Sequence, residues 1–143
     1  MRKLYEIHDS LLQTVDQQGD RVSIQLRALL ARIGEGREHA PEYLRQEIRL
    51  VCEGAELSVD SGNLPSWLIE GSFSAESEDR EPEDRGVKGT IPASLRSASS
   101  VELVLAGLHE ESGDFVTIRV KASSLTLETL GDAQSMQYTR ASN

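Results

Sequence analysis

The chain of 143 residues reads as all-β or mainly β. The expected form is a single antiparallel β-sandwich or flattened barrel of about seven to nine strands, with at most one short helix. Three observations predict this. Apolar and polar residues alternate over run after run, which puts one side of each run in a core and the other in water. Gly- and Asp-rich turn signals separate the runs. The only aromatics are Tyr5, Tyr43, Trp67, Phe73, Phe115 and Tyr138. Val, Ile and Leu must therefore fill most of the core, and such aliphatic side chains suit a pleated surface.

The elements follow in order. Leu4–Ile7 and Leu11–Val15 read as two strands with His8-Asp9-Ser10 as the corner between them. Asp and Ser make corners well because their short side chains bond nearby backbone N–H groups. Gln18-Gly19-Asp20 is a hairpin tip. In Arg21–Ala28 residues 22, 24, 26 and 28 are apolar, the pattern of a half-buried strand. Residues 29–33 either continue it or turn into a short helix, because Val22, Leu26, Leu29, Leu30 and Ile33 also fit a helical spacing. Ile48, Leu50 and Cys52 share one face of the next strand. Gly54 marks a bulge or a tight bend. Ser61-Gly62-Asn63 is a turn. Trp67, Ile69, Gly71 and Phe73 form a row along one face, which places Trp67 in the core; exposed, it would be a partner anchor. Val101, Leu103 and Leu105 form another row, Glu111–Asp114 a second hairpin, and Val116–Val120 and Leu125–Leu127 two further alternating runs.

The length suits one domain, residues 1–143, that buries roughly 68–70% of its unfolded surface. A charged loop at about 74–89 carries Glu76, Glu78, Asp79, Glu81, Glu83 and Asp84 against Arg80, Arg85 and Lys88. It has no hydrophobic period and is expected to be mobile. The net charge of −9 argues against nucleic acid and anionic membrane as partners, since the basic residues do not cluster. Cys52 is the only cysteine, so no intrachain disulfide or cysteine zinc site is available, and its apolar neighbours make it a small buried hydrophobe. The start lacks the apolar run of a signal peptide, and no stretch has membrane-spanning length; the expectation is a cytoplasmic, bacterial-type protein.

His8-Asp9-Ser10 brings together the residue types of a catalytic triad. A triad needs the imidazole to bridge the other two side chains, whereas neighbours on a strand point to opposite faces. No nucleophile-elbow motif, metal-ligand histidine spacing, phosphate loop or dinucleotide fingerprint is present. No catalytic residue, metal or cofactor is therefore expected. The acidic loop lacks the ligand spacing of a calcium loop. Binding, if any, is assigned to His8, Asp9, Ser10 and Trp67.

The opening Tyr5-Glu6-Ile7-His8-Asp9-Ser10, with Leu11, Val15, the Gly-Asp turn and the alternating Val22–Leu26, resembles a group of small bacterial β-rich proteins that begin with a His-Asp-Ser strand. The stretch Ser124–Ala133 is similar to the closing strand of that group. The resemblance covers both ends, about a third of the chain, and implies a β-rich fold without an activity. Some bacterial immunity proteins open comparably, which implies toxin neutralisation. The expected function is thus a non-enzymatic protein-interaction or accessory domain, immunity-like, with an unidentified protein partner. The alternative is a small-ligand-binding sandwich or barrel, and a hydrolase using Ser10 and His8 ranks last. Exposed sheet edges also allow a homodimer.

Overall fold

The structure, a computed structural model, describes residues 2–34, 40–60, 64–79 and 88–136. Among them there are nine strands and no helix: β1 (Arg2–Gln18), β2 (Arg21–Ile33), β3 (Glu42–Glu53), β4 (Glu56–Asp60), β5 (Ser66–Glu78), β6 (Thr90–Pro92), β7 (Ser97–His109), β8 (Phe115–Thr129) and β9 (Gln134–Ser135). The Ser61-Gly62-Asn63 turn lies outside the described residues.

All pairings are antiparallel. The order β8-β7-β5-β1-β2-β3 returns to its start, because β3 pairs with β8 over Ile48–Glu53. One sheet thus closes on itself as a six-stranded barrel, with β6 and β9 lying against β1 and β3. Of the two architectures expected, two separate stacked sheets are not what the pairing makes. A six-stranded ring is too narrow for a lumen, so side chains fill it. Leu12, Ile24, Ile48, Leu50, Cys52, Leu95, Leu103, Leu105 and Val120 all sit inside with no more than 1% of their surface exposed. Full burial of each such aliphatic side chain contributes roughly 1.5–3 kcal/mol.

The period-two pattern survives in detail. Val22, Ile24, Leu26, Ala28 and Leu30 point inward along β2. β2 continues through Ile33, pairing with β1 from Arg2 to Glu6, so residues 29–33 are strand. The helix-like spacing there has a physical source. Leu29 and Ala31 point outward yet are also buried, so Ala28–Ala31 is apolar on both faces.

Two expected boundaries dissolve. The runs 116–120 and 125–127 belong to one strand, β8, in which the inward phase changes from Val116, Ile118, Val120 and Ala122 to Leu125 and Leu127. The neighbours change phase at the same level: Ala98 then Val101 on β7, Cys52 then Ala55 on the other side. A crease therefore crosses the sheet along Gly54, Ser123 and Ser100. Gly54 and Ser100 have positive φ, 60° and 51°, and a Cβ on Gly54 would run into the Ser123 side chain. Gly54 is accordingly a bend within one line of chain. β3 and β4 follow the same register along β8, with Glu53 opposite Ser124 and Glu56 opposite Lys121.

The second dissolved boundary is in β1, which runs unbroken from Arg2 to Gln18. Its register against β2 jumps between Glu6↔Leu29 and Leu11↔Arg27, so four residues of β1 face Ala28 alone. His8-Asp9-Ser10 is a wide bulge inside one strand rather than a corner between two. Both hairpin tips lie where expected, with Gly19 and Gly113 at φ 63° and 73°. β5 extends through Glu78, so residues 74–78, expected in the charged loop, are strand; residues 80–87 lie outside the described residues.

Candidate functional site

The bulge builds the site. Asp9 adopts φ 64°, a left-handed conformation that Asp tolerates better than most residues. This turns Ser10 inward, where it is 1% exposed. The Ser10 hydroxyl donates to the Glu6 carbonyl at 2.6 Å and accepts from the Leu29 N–H at 2.9 Å. The side chain is thus inserted between two backbone groups of a ladder pair that the bulge has opened. Burying either group unpaired would cost about 1–3 kcal/mol. No hydrogen bond joins Ser10 to His8, and the Ser10 hydroxyl is committed on both sides.

His8 and Asp9 project outward. The His8 imidazole lies 3.3 Å from the Glu6 carboxylate through Nε2 and 3.3 Å from the Asp9 carboxylate through Nδ1, with about half of its side chain exposed. From β3, Arg45 crosses the outside of β2 and donates to the Asp9 carbonyl at 2.6 Å. Its guanidinium also stands 5.5 Å from the centre of the Trp67 ring on β5, within cation–π range. Arg45 therefore ties β3 to β1 and β5 across the outer wall.

These residues enclose a concavity of about 470 Å³ on the outside of the barrel, lined by Glu6, His8, Asp9, Leu29, Tyr43, Arg45, Trp67 and Met136. Its floor is Leu29, its aromatic walls are Trp67 and Tyr43, and one rim is the cluster of Glu6, His8 and Asp9. Chemically it offers an apolar floor and aromatic faces beside one cation and two carboxylates. Three of the four residues assigned to binding, His8, Asp9 and Trp67, meet here; Ser10 stays beneath them as the support of the bulge.

Trp67 is 38% exposed and Ile69 47%, whereas Leu68 between them is 1% exposed. The expected core row of Trp67, Ile69, Gly71 and Phe73 is therefore split between the two faces. The cause is a bulge in β5: Leu68 pairs with Gly107 and Glu70 with Ala106, leaving Ile69 as an extra residue. One inserted residue reverses every side chain beyond it, so Ser66 and Leu68 point in before it, and Gly71, Phe73 and Ala75 after it. A sequence signal for this was available in Gly107. A Cβ there would meet the Trp67 carbonyl and the Leu68 Cα, and a glycine inside a strand marks such close backbone approach.

The outward row does not end at Trp67. Trp67 lies opposite Leu108, and Leu108 opposite Phe115, which are 39% and 53% exposed. Arg45, Tyr43 and Leu29 were not singled out in the sequence, since their outward positions depend on closure of the barrel.

Elsewhere, Cys52 is wholly enclosed, and burial pushes its thiol up to about 11. Tyr5 is also buried, and desolvation raises its phenol above the ordinary value although the nearby Arg96 charge opposes this. Among the described residues no group of three or more His, Cys, Asp or Glu side chains converges in a way that could hold a metal ion. No helix there is long and apolar enough to cross a membrane. Comparison with family models, curated proteins and solved structures gave no match.

Proposed function

We propose that the chain is a non-enzymatic protein-interaction domain, of the immunity or accessory type, that seats an apolar side chain of a protein partner in the Trp67 concavity. The observation that carries this is the outward placement of Trp67 beside Tyr43 and Arg45, with Leu108 and Phe115 continuing the apolar row. Trp, Tyr and Arg are the residue types on which protein interfaces concentrate their binding energy. An isolated exposed Leu would need no explanation, but a contiguous apolar row does. The barrel interior is already filled, which argues against a ligand held in a lumen. Charged residues such as Glu6, Arg27 and Glu47 lie on the outer face, the reverse of a lipid-facing strand. This supports a barrel that works in water.

The test is photo-crosslinking in cells with benzoylphenylalanine at position 43. The proposal expects a discrete protein adduct that disappears in Trp67→Ala. The same adducts from a probe at position 121, or adducts indifferent to Trp67→Ala, would contradict it. A second reading, a small-molecule site, draws on the concavity's size, which lies in the range of ligand pockets. A thermal-shift screen separates the two: a metabolite at about 100 Kd adds about 2.7 kcal/mol to stability, and a protein anchor predicts a flat screen.

A further inference from the structure

Among the described residues the outer edge of β4 has no strand partner. β4 pairs with β8 through Glu56↔Lys121 to Asp60↔Thr117 and ends the strand order, so among the described residues nothing pairs with its other edge. The edge is open to water: Glu56, Ser58, Val59 and Asp60 are all exposed. Unpaired N–H and C=O groups of this kind template the addition of another strand. Beside the edge lies a mainly apolar groove of about 180 Å³ lined by Val15, Leu57, Val59, Leu64, Val116 and Ile118, with Gln17 its one polar residue. Leu57 and Val59 share one face of β4 and look into this groove; Glu56, Ser58 and Asp60 occupy the other face.

We propose that the β4 edge binds an extended segment of a partner protein in which apolar residues alternate with Lys or Arg. The apolar residues of such a segment continue the Leu57/Val59 face over the groove. Its cations fall opposite Glu56 and Asp60, extending the alternation that Lys121↔Glu56 begins on the other side. Opposite charges directly across a strand pair stabilise it and like charges weaken it. That rule also selects against a second copy of this chain. The antiparallel register that pairs all five residues of two β4 edges sets Glu56 against Asp60 twice, between chains that each carry −9. This surface is separate from the Trp67 concavity and does not depend on it.

The experiment uses the full chain and two fluorescent heptapeptides of one composition, four lysines and three valines, titrated at 150 mM salt by anisotropy. In one the residues alternate; in the other they are grouped into a lysine block and a valine block. The alternating peptide is expected to bind at least tenfold more tightly, with amide shifts concentrated at residues 56–60. In Glu56→Lys/Asp60→Lys, folded by circular dichroism, the preference passes to an alternating glutamate–valine peptide, while Trp67→Ala leaves both affinities unchanged. Equal affinity for the two lysine peptides would show general attraction to an acidic protein and overturn the proposal. So would binding indifferent to the β4 variant, or concentration-dependent dimerisation that protects residues 56–60 without peptide.

Discussion

The His8–Ser10 bulge of β1 and the Ile69 bulge of β5 differ in what stabilises them. The β1 bulge at His8–Ser10 is self-contained. It supplies its own left-handed residue, Asp9, and its own replacement for the lost ladder bond, the Ser10 hydroxyl between Glu6 and Leu29. The β5 bulge at Ile69 has neither. It exists because β7 presents Gly107 opposite Leu68, where the two backbones approach too closely for a Cβ. One irregularity is written in the residues that form it, the other in the strand beside it. Together they make the site, because the first lifts His8 and Asp9 out of the wall and the second turns Trp67 outward to meet them.

The contrast can be broken at its strongest point by deleting Ile69. Removing the extra residue forces a choice between Trp67 entering the core and Leu68 leaving it, so stability should fall by more than about 4 kcal/mol or cooperative unfolding should be lost. Circular dichroism with urea measures this. Gly107→Ala attacks the same bulge from the neighbouring strand and should cost about 1–3 kcal/mol through overpacking, with loss of the arginine–tryptophan contact as a change in near-ultraviolet dichroism.

Ser10→Ala probes the other bulge. The Leu29 N–H is left buried without its acceptor, and a loss of about 1–3 kcal/mol is expected by urea midpoint. Because a serine hydroxyl does not titrate, this penalty should be the same at pH 4 and pH 7.

Asp79 sharpens the comparison by contrast. Partial desolvation pushes its carboxyl upward, but hydrogen bonds from the Arg96 and Ser97 N–H groups and the Ser97 hydroxyl outweigh this and hold it below the usual carboxylate value. A lowered native value adds stability above the unfolded value, near 3.9, that disappears as pH falls through the native one. The cost of Asp79→Asn, at most about 1 kcal/mol for so exposed a group, should therefore be present at pH 7 and fade below about pH 4.

The same contrast explains what the sequence made legible. Period-two alternation located the inward rows of Val22–Ala28, Ile48–Cys52, Val101–Leu105, Val116–Val120 and Leu125–Leu127, where a strand has one buried face. Turn chemistry located Gly19 and Gly113. At His8-Asp9-Ser10 the polar residues announced a break, but a hydroxyl that bridges a ladder and a corner that ends a strand draw on the same residue types, so the continuous β1 was not distinguishable. Around Ala28–Ala31 both faces are covered, and alternation vanishes. At Trp67–Phe73 the pattern was simply misleading, since an inserted apolar residue keeps a run apolar while reversing its faces. The site as a whole was half visible: His8, Asp9 and Trp67 stood out by type, whereas Arg45 and Tyr43 are brought to them only when β3 is laid beside β2 and the ring closes.

Trp67 is the only tryptophan in the chain, so its fluorescence reports directly on the outward turn of β5. Acrylamide quenching of the native protein should reach a substantial fraction of the value in urea, and Arg45→Ala should raise it further by uncovering the ring. A blue-shifted emission that acrylamide scarcely touches, unchanged by Arg45→Ala, would place Trp67 in the core and contradict the site.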